Sequence, residues 1–503
     1  MSYELIAGVD LGSNTFRLQL GRIVGDQIHP LDSLKEPVRL ASGLSTENFL
    51  DHAAQRRALD ALRRFGERLR GFAPEQVRAV ATDAMRVAHN ADLVLPQAEA
   101  ALGFPIEIIA GREEARLIFI GAAKALPAAT HRRLVVDIGG GSTELIIGQG
   151  CEPLLMESLF MGGINFRQRF FPNGKVDQKC FSAAEVAAAR QIEAVVTDYR
   201  RCGWHEAVGS SGSAQELAAV LELNGLNPEP CSGISRQGLA RLRQLIIAAG
   251  SAERLPLKGL RRERLQILPG ALAIMSAVFS SLELEQMTYS EGALPLGVLH
   301  DLRSRFEHHD TRDLTVAQFM RRYRVVEEQV RRVERTALAL LGQLIQLDSP
   351  EHEREVHFLR WAVSLHEIGI SVAHGSFHKH GAYLVSNADM PGFSQRDQSR
   401  LALLLLGQRG RLQKLASLPA GDPNWRLLFC LRLAVLLHRS RHEQAPPELV
   451  IRESPAGFQL ACTAAWLDAN PLALAALREE SLLWGGIGSE LQLSALPPGW
   501  TCQ

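Results

Sequence analysis

Leu134-Val-Val-Asp-Ile-Gly-Gly-Gly-Ser-Thr-Glu-Leu-Ile-Ile-Gly148 decides how this chain folds. An apolar run reaches Asp137, three glycines and two hydroxyls follow, and a second apolar run resumes after Glu144. That is the pattern of strand, tight turn, strand. Gly139, Gly140 and Gly141 carry no Cβ, so an anion can approach the backbone N–H groups of the turn. Asp137 and Glu144 would then flank it as hard oxygen ligands for a Mg²⁺ riding on that anion. Short glycine motifs also match by chance, and an ordinary hairpin with two solvated acids would read the same way.

The N-terminus supplies a second copy. Val9-Asp-Leu-Gly-Ser-Asn-Thr-Phe-Arg-Leu-Gln-Leu-Gly21 aligns position for position with Val136-Asp-Ile-Gly-Gly-Gly-Ser-Thr-Glu-Leu-Ile-Ile-Gly148, sharing Val, Asp, the first Gly, a Leu and the last Gly. One strand–phosphate turn–strand unit therefore heads each of two successive segments. Two such turns facing each other across a cleft can hold a phosphate chain from both sides. The duplicated pattern resembles the actin/hexokinase/Hsp70 superfamily of phosphate-handling folds. A third turn, Val208-Gly-Ser-Ser-Gly-Ser213, follows a later apolar segment. In that superfamily it lies where a nucleotide or distal substrate is held, which makes Gly212 a binding candidate.

At 503 residues the chain is too long for one core and suggests three or four domains. Its 46% apolar and 22% charged residues are those of a soluble globular protein. Lys plus Arg balance Asp plus Glu at 55 each, so no global field draws in a polyanion and any basic channel must be local. The seven cysteines are scattered without a C-x-x-C pair, which fits a reducing cytoplasm better than a disulfide framework. We expect no signal peptide, because the first apolar run breaks at Asp10 and no basic region precedes it. No apolar run is long enough for a bilayer span, and no nucleic-acid motif is present.

Between the first two turns, residues 52–70 have helical periodicity and Val77 to Thr82 reads as a strand. Lys35 and Arg39 lie on a connector, where they serve either as solvated charge or as contacts to an anionic substrate. Thr82-Asp-Ala-Met-Arg86 opens a helix and puts Arg86 at the strand's carboxyl end, where α/β ligands collect and an Arg can take phosphate bidentately. Ile106-Glu-Ile-Ile-Ala-Gly-Arg-Glu-Glu-Ala-Arg-Leu-Ile-Phe119 is a strand followed by a helix starting near Glu113. Acids in a first helical turn ordinarily serve the helix dipole. Placed between two phosphate turns, such a helix can also aim one carboxylate at a water beside a terminal phosphoryl group.

Asp10-Leu-Gly-Ser-Asn-Thr15, Ala81-Thr-Asp-Ala-Met-Arg86, Gly111-Arg-Glu-Glu-Ala-Arg-Leu-Ile118, Asp137-Ile-Gly-Gly-Gly-Ser-Thr-Glu-Leu145, Gly209-Ser-Ser-Gly-Ser213 and Glu291-Gly-Ala-Leu294 occur in this order. Together they resemble the exopolyphosphatase / guanosine pentaphosphate phosphohydrolase family, strongly over about 300 residues and more weakly beyond. The resemblance implies Glu114 as the carboxylate that activates water, and Asp137, Glu144 and Asp10 as the acids that manage the metal. It also implies Ser13, Asn14, Arg86, Gly139, Gly140, Gly141 and Ser142 as phosphate binders. Arg264 is a further candidate contact, with a solvated arginine cluster as the alternative. Where the family often carries an Arg-Glu pair after Gly-Ala-Leu, this chain has Pro295-Leu296.

Phe306-Glu-His-His-Asp-Thr-Arg-Asp313 reads as a polar linker, and helical patterns follow from Val316. Trp361-Ala-Val-Ser-Leu-His-Glu-Ile-Gly-Ile370 resembles the central helix of an HD-type phosphohydrolase, with Glu367 where that metal site has Asp. We expect a structural helical domain here, although His374, His378 and His380 keep a metal conceivable. The tail alternates polar and apolar residues like a small α+β cap.

The expected fold is α/β: duplicated actin-like (ribonuclease H-like) domains at 1–117 and 118–305, an all-α HD-like domain at 306–442 and a small α+β domain at 443–503. The expected activity is an exopolyphosphatase, with Mg²⁺ (or Mn²⁺ in its place) assisting attack by a water that Glu114 directs on the end of inorganic polyphosphate. The alternative substrate is guanosine pentaphosphate. Readings of another class are a superfamily kinase or a non-enzymatic nucleotide sensor; the absence of an adenine pocket after Gly209 speaks against the first, and the intact acids at 10, 114, 137 and 144 against the second. The family resemblance further implies a homodimer, and the whole reading a cytoplasmic protein.

Overall fold

The computed structural model describes residues 4–25, 27–260, 264–306, 310–345, 350–442 and 449–496. The chain divides into two compact units, Met1–Thr311 and Arg312–Gln503.

In the first unit, β1 (Leu5–Leu11), β2 (Phe16–Val24), β3 (Gln27–Glu36), β4 (Val77–Ala81) and β5 (Ile106–Ile108) form one sheet in the order β3-β2-β1-β4-β5. Helices α1 (His52–Arg68), α2 (Asp83–Val87), α3 (Ala91–Leu102) and α4 (Gly111–Ala125) belong to this half. Asp51 caps α1 by accepting from the Ala54 N–H, and the apolar residues at helical spacing, Ala54, Ala58, Ala61, Leu62 and Phe65, are the ones it buries.

The second half repeats the plan. Strands β6 (Arg132–Ile138), β7 (Thr143–Gln149), β8 (Glu152–Leu159), β9 (Glu206–Gly209), β10 (Ile234–Ser235) and β11 (Gln286–Tyr289) are ordered β10-β11-β9-β6-β7-β8. Leaving out β10, β8-β7-β6-β9-β11 has the topology of the first sheet, with two antiparallel strands on one side of the central strand and two parallel ones on the other. The sequence match between the two turns is thus a match between two sheets. Helices α5 (Gly163–Phe170), α6 (Gln178–Cys202), α7 (Gly212–Leu223), α8 (Arg236–Ala249), α9 (Leu268–Ser281) and α10 (Leu294–Phe306) complete this half.

α4 and α10 join the halves. Their apolar residues Leu117, Ile118, Phe119, Leu294 and Val298 share one buried cluster with Val80 of the first sheet and Val135 and Ile146 of the second. The two helices lie so close that a Cβ on Gly297 would stand 1.8 Å from the Leu117 carbonyl oxygen, so only glycine fits there. The boundary expected at 117/118 falls inside α4, which runs unbroken from 111 to 125. No proline interrupts residues 111–125, and the helix packs on both sheets, so it runs on through the expected boundary.

The second unit carries α11 (Thr311–Arg322, whose first residue closes the first unit), α12 (Glu327–Leu341), α13 (Pro350–Leu365), α14 (Phe377–Asn387), α15 (Gln395–Gly407) and α16 (Asn424–Leu437). A three-stranded sheet, β12 (Leu449–Ser454), β13 (Gly457–Thr463) and β14 (Glu490–Leu496), follows with α17 (Ala464–Ala469) and α18 (Pro471–Gly485). Its inward residues Ile451, Phe458 and Leu460 share one core with Trp484 of α18 and with the preceding helices. In place of an open polar linker at 306–313, α10 extends to Phe306 and α11 begins at Thr311; residues 307–309 lie outside the described residues, as do 443–448 at the other expected boundary. Among the described residues no helix is long and apolar enough to cross a membrane.

Candidate active site

Each phosphate turn is held by a ladder that pairs an aspartate with the residue seven positions on. In the first turn Asp10 faces Arg17; in the second Asp137 faces Glu144. One template therefore delivers a cation from one half and an acid from the other. Arg17 was not singled out from the sequence, yet the alignment of the two turns puts it opposite Glu144, and that was the available signal.

Both turns open onto a cavity of about 140 Å³ in the first unit. Of the expected residues, Asp10, Ser13, Asn14, Glu114, Asp137, Gly139, Gly140, Ser142, Gly212 and Arg264 line it, together with Arg17 and Ser211. Arg86, Gly141 and Glu144 stand behind this lining. The Gly139 N–H donates to the Ser142 carbonyl and closes the second turn (2.9 Å). Gly141 backs onto Asp83 so tightly that a Cβ would lie 1.8 Å from the carboxylate. The Ser13 hydroxyl accepts from the Ala84 N–H (3.2 Å), tying the first turn to the start of α2. Ser211 accepts from the Ala214 N–H as the cap of α7 and also from the Ile138 N–H beyond Asp137, so the third turn is locked to the second.

Glu114 sits in the first turn of α4. The Arg86 guanidinium donates to its Oε2 at 3.1 Å and to the Ile109 carbonyl at 2.9 Å, with Asp83 at 3.5 Å. Here Arg86 engages Glu114 and Asp83, so the expected phosphate binder also orients the expected base. Arg264 donates to both oxygens of Glu216 on α7 (2.7 and 2.9 Å) while lining the cavity. Lys35 instead lines a neighbouring cavity of about 440 Å³ that shares Arg17, Ala293 and Pro295 with the first.

The cleft acids are buried and poorly compensated. Burial pushes Asp10 up to about 7 against the pull of Arg17, with Asp137 adding to the rise. Asp137 is raised to about 6 by burial, opposed by Arg17 and by a hydrogen bond from Ser210. Glu114 is raised to about 7, again by burial, with Arg86 opposing. Glu144 rises well above the usual range through burial, Glu114 and Asp137, although Ser158 donates to it at 2.8 Å. Asp10 Oδ1 has no hydrogen-bond partner, and Asp83 Oδ1 has only its 3.5 Å ion pair with Arg86. Like charges crowded in a buried cleft, with an orphaned oxygen, are what a bound cation relieves. Among the described residues no three acids or histidines already converge as ligands. The donors therefore fit a hard ion that takes one or two carboxylates and completes its shell with substrate phosphate and water, as Mg²⁺ does.

A duplicated α/β sheet pair with facing glycine turns and buried acids defines a protein that handles phosphoryl groups in the cleft of an actin-like fold. The family model described as Ppx/GppA phosphatase matches residues 20–306, and that described as Ppx/GppA phosphatase, domain III, matches residues 311–481. The chain belongs to the Ppx/GppA phosphatase family. It is 36% identical over 496 residues to a guanosine-5'-triphosphate,3'-diphosphate pyrophosphatase of Photobacterium profundum, covering 97% of this chain and 98% of the relative. An exopolyphosphatase of Cytophaga hutchinsonii of known structure is 28% identical, with a TM-score of 0.54, over 60% of this chain and 98% of that one. A Ppx/GppA family member from Aquifex aeolicus, 22% identical with a TM-score of 0.50 over 60% of this chain and 98% of that one, shares the fold.

Proposed function

We propose that the protein hydrolyses the terminal phosphoanhydride bond of guanosine pentaphosphate, releasing orthophosphate. The observation that carries the hydrolytic part is Glu114 in the wall of the cavity onto which both phosphate turns open. The N–H group of Gly140 and the hydroxyls of Ser13 and Ser142 hold the terminal phosphoryl group, while the Gly139 N–H keeps the turn closed on the Ser142 carbonyl and Arg17 supplies positive charge between the two turns. A group raised to about 7 is half ionised near neutrality, which suits a general base that takes a proton from an attacking water. Arg86 keeps that carboxylate fixed, so little reorganisation is needed when the water is deprotonated. A Mg²⁺ held through Asp137, with Asp10 and Glu144 in support, would supply Lewis-acid neutralisation of the phosphate oxygens.

Sequence reading leads with polyphosphate; the comparisons move the preference. Similarity to the Photobacterium enzyme runs through the helical unit as well, whereas the exopolyphosphatase structure matches 60% of the chain. Polyphosphate stays the second reading because that structure is similar in the unit that contains the cleft. Phosphate release from the two substrates, compared at equal concentration with wild type and Glu114→Gln, tests both. Faster turnover of polyphosphate reverses the substrate preference, and release from neither substrate ends the hydrolase reading.

A further inference from the structure

The second unit contains a cavity that this hydrolysis leaves unused. Its volume of about 650 Å³ falls within the range of small-ligand sites, roughly 300–1,000 Å³. It lies between the start of α12, the turns that follow α13 and α15, the end of α16 and α18. Its charge is uneven. Arg432 is buried against Glu480 (2.5 and 2.9 Å) and Arg441 pairs with Glu367. Arg409, Arg411 and Arg439 also line the cavity, are exposed, and have no carboxylate partner among the described residues. Two further cations reinforce the field: His378 is pushed down to about 4 by burial and by Lys414, Lys379 and Arg409. Five arginines thus face three carboxylates, Glu367, Glu479 and Glu480, in the lining of this cavity.

The opposite character appears in two buried residues of the same wall. His366 Nδ1 lies 2.5 Å from the Val363 carbonyl, so that nitrogen carries the proton and Nε2 is a lone-pair acceptor. The Gln408 amide nitrogen donates to the carbonyls of His366 (2.8 Å) and Leu405 (3.1 Å), which fixes the amide and leaves Oε1 as an acceptor. Neither His366 Nε2 nor Gln408 Oε1 has a hydrogen-bond partner. Buried acceptors left over in this way are uncommon and call for a donor. Ile370, Val435 and Leu436 give the wall an apolar stretch.

We propose that this cavity binds a phosphorylated nucleoside, with its phosphates on Arg409, Arg411 and Arg439 and its base on the apolar wall, N–H groups turned toward His366 and Gln408. Arginine forks match phosphate oxygens, and a nucleobase brings the donors that the two acceptors lack. An inorganic phosphate chain satisfies the arginines and offers no N–H group, so it shares only half of this chemistry. The site is separate from the hydrolytic cleft, and its test does not depend on turnover.

The test is photolabelling of the full chain with 8-azido-GDP, followed by peptide mapping. Label is expected on peptides from 366–377 or 408–441 as well as any in the cleft. The double variant Arg411→Glu, Arg439→Glu changes exposed side chains and should keep the fold and phosphate release; it should lose at least tenfold of the label in the second unit. Unlabelled GDP should compete there more strongly than tripolyphosphate. No label in the second unit, label unchanged in the double variant, or tripolyphosphate competing as well as GDP would each overturn the proposal.

Discussion

Glu113 and Glu114 are neighbours in the first turn of one helix, and both are buried, at 3% and 7% exposure. Their surroundings are opposite. Glu113 accepts from Arg116 at 2.7 and 2.8 Å and meets Arg78 at 3.5 Å. Those arginines also hold Asp301, Arg78 at 2.6 Å, while Arg305 reaches Asp301 at 3.2 Å and Glu107 at 3.4 Å. Arg116, then Arg78 and Arg305, overcome burial and hold Asp301 well below the usual carboxylate range. Glu114 has Arg86 alone against burial, Asp83 and Asp10, and its pKa goes up. Burial with compensation ties α4 to α10 and the first sheet; burial without it leaves a carboxylate ready to exchange a proton. Catalytic potential here is a matter of which face of α4 a residue occupies.

The largest effect should come from Glu114→Gln, which keeps shape and removes the base. Phosphate release should fall by roughly 10²–10⁴-fold while substrate binding, followed by equilibrium dialysis, persists. If Glu113→Gln instead gives that loss and Glu114→Gln stays active, the assignment of the two faces is reversed.

Glu113→Gln should act on stability, because it leaves Arg116 and Arg78 short of a buried partner. Removing one member of a buried ion network costs about 3–5 kcal/mol. Chemical denaturation should show that loss, with turnover per folded molecule reduced far less than by Glu114→Gln.

Asp137→Asn should raise the Mg²⁺ concentration needed for half-maximal turnover. Loss of an outer-shell partner already costs roughly 10–100-fold in metal affinity, and a direct oxygen should cost no less. Full activity in chelator would remove the metal from the proposal.

The smallest effect sharpens the contrast through pH. Asp10 and Glu114 bind protons more tightly folded than unfolded, with values of about 7 against ordinary ones of 3.8 and 4.5. Their contribution therefore favours the fold at low pH and is lost as pH rises from about 4 to 7 in the absence of metal. Asp10→Asn should flatten that slope in denaturation midpoints measured in chelator. Asp301 has the opposite sign: its stabilisation is present above 3.8, its ordinary value, and is lost as pH falls below it. Asp301→Asn should leave the slope between pH 4.5 and 7 unchanged.

Much of the site was legible because turns are local. A glycine run between two apolar runs can only be a turn, and matching Val9–Gly21 to Val136–Gly148 gave two of them, with Asp10, Asp137 and the glycines in place. Glu114 was legible as one of two acids, but nothing local separates it from Glu113, since both occupy the same helical turn. Arg17, Asp83 and the double role of Ser211 were missed. Each acts on residues distant in sequence: Arg17 across the cleft on Asp137, Asp83 against Gly141, and Ser211 on the Ile138 N–H.

The sequence by itself determined the two sheets and their turns, since strand periodicity and glycine placement are fixed by the backbone's own sterics. Only the tertiary structure decided the charge states and the division of roles. Desolvation and the arrival of Arg78, Arg116 and Arg305 from β4, α4 and α10 depend on which surfaces meet. The same holds for the arginine-lined cavity of the second unit, whose walls come from elements spread between residues 329 and 483. Coulomb energies and solvent exclusion are set by distance in space, and a sequence specifies those distances only once it has folded.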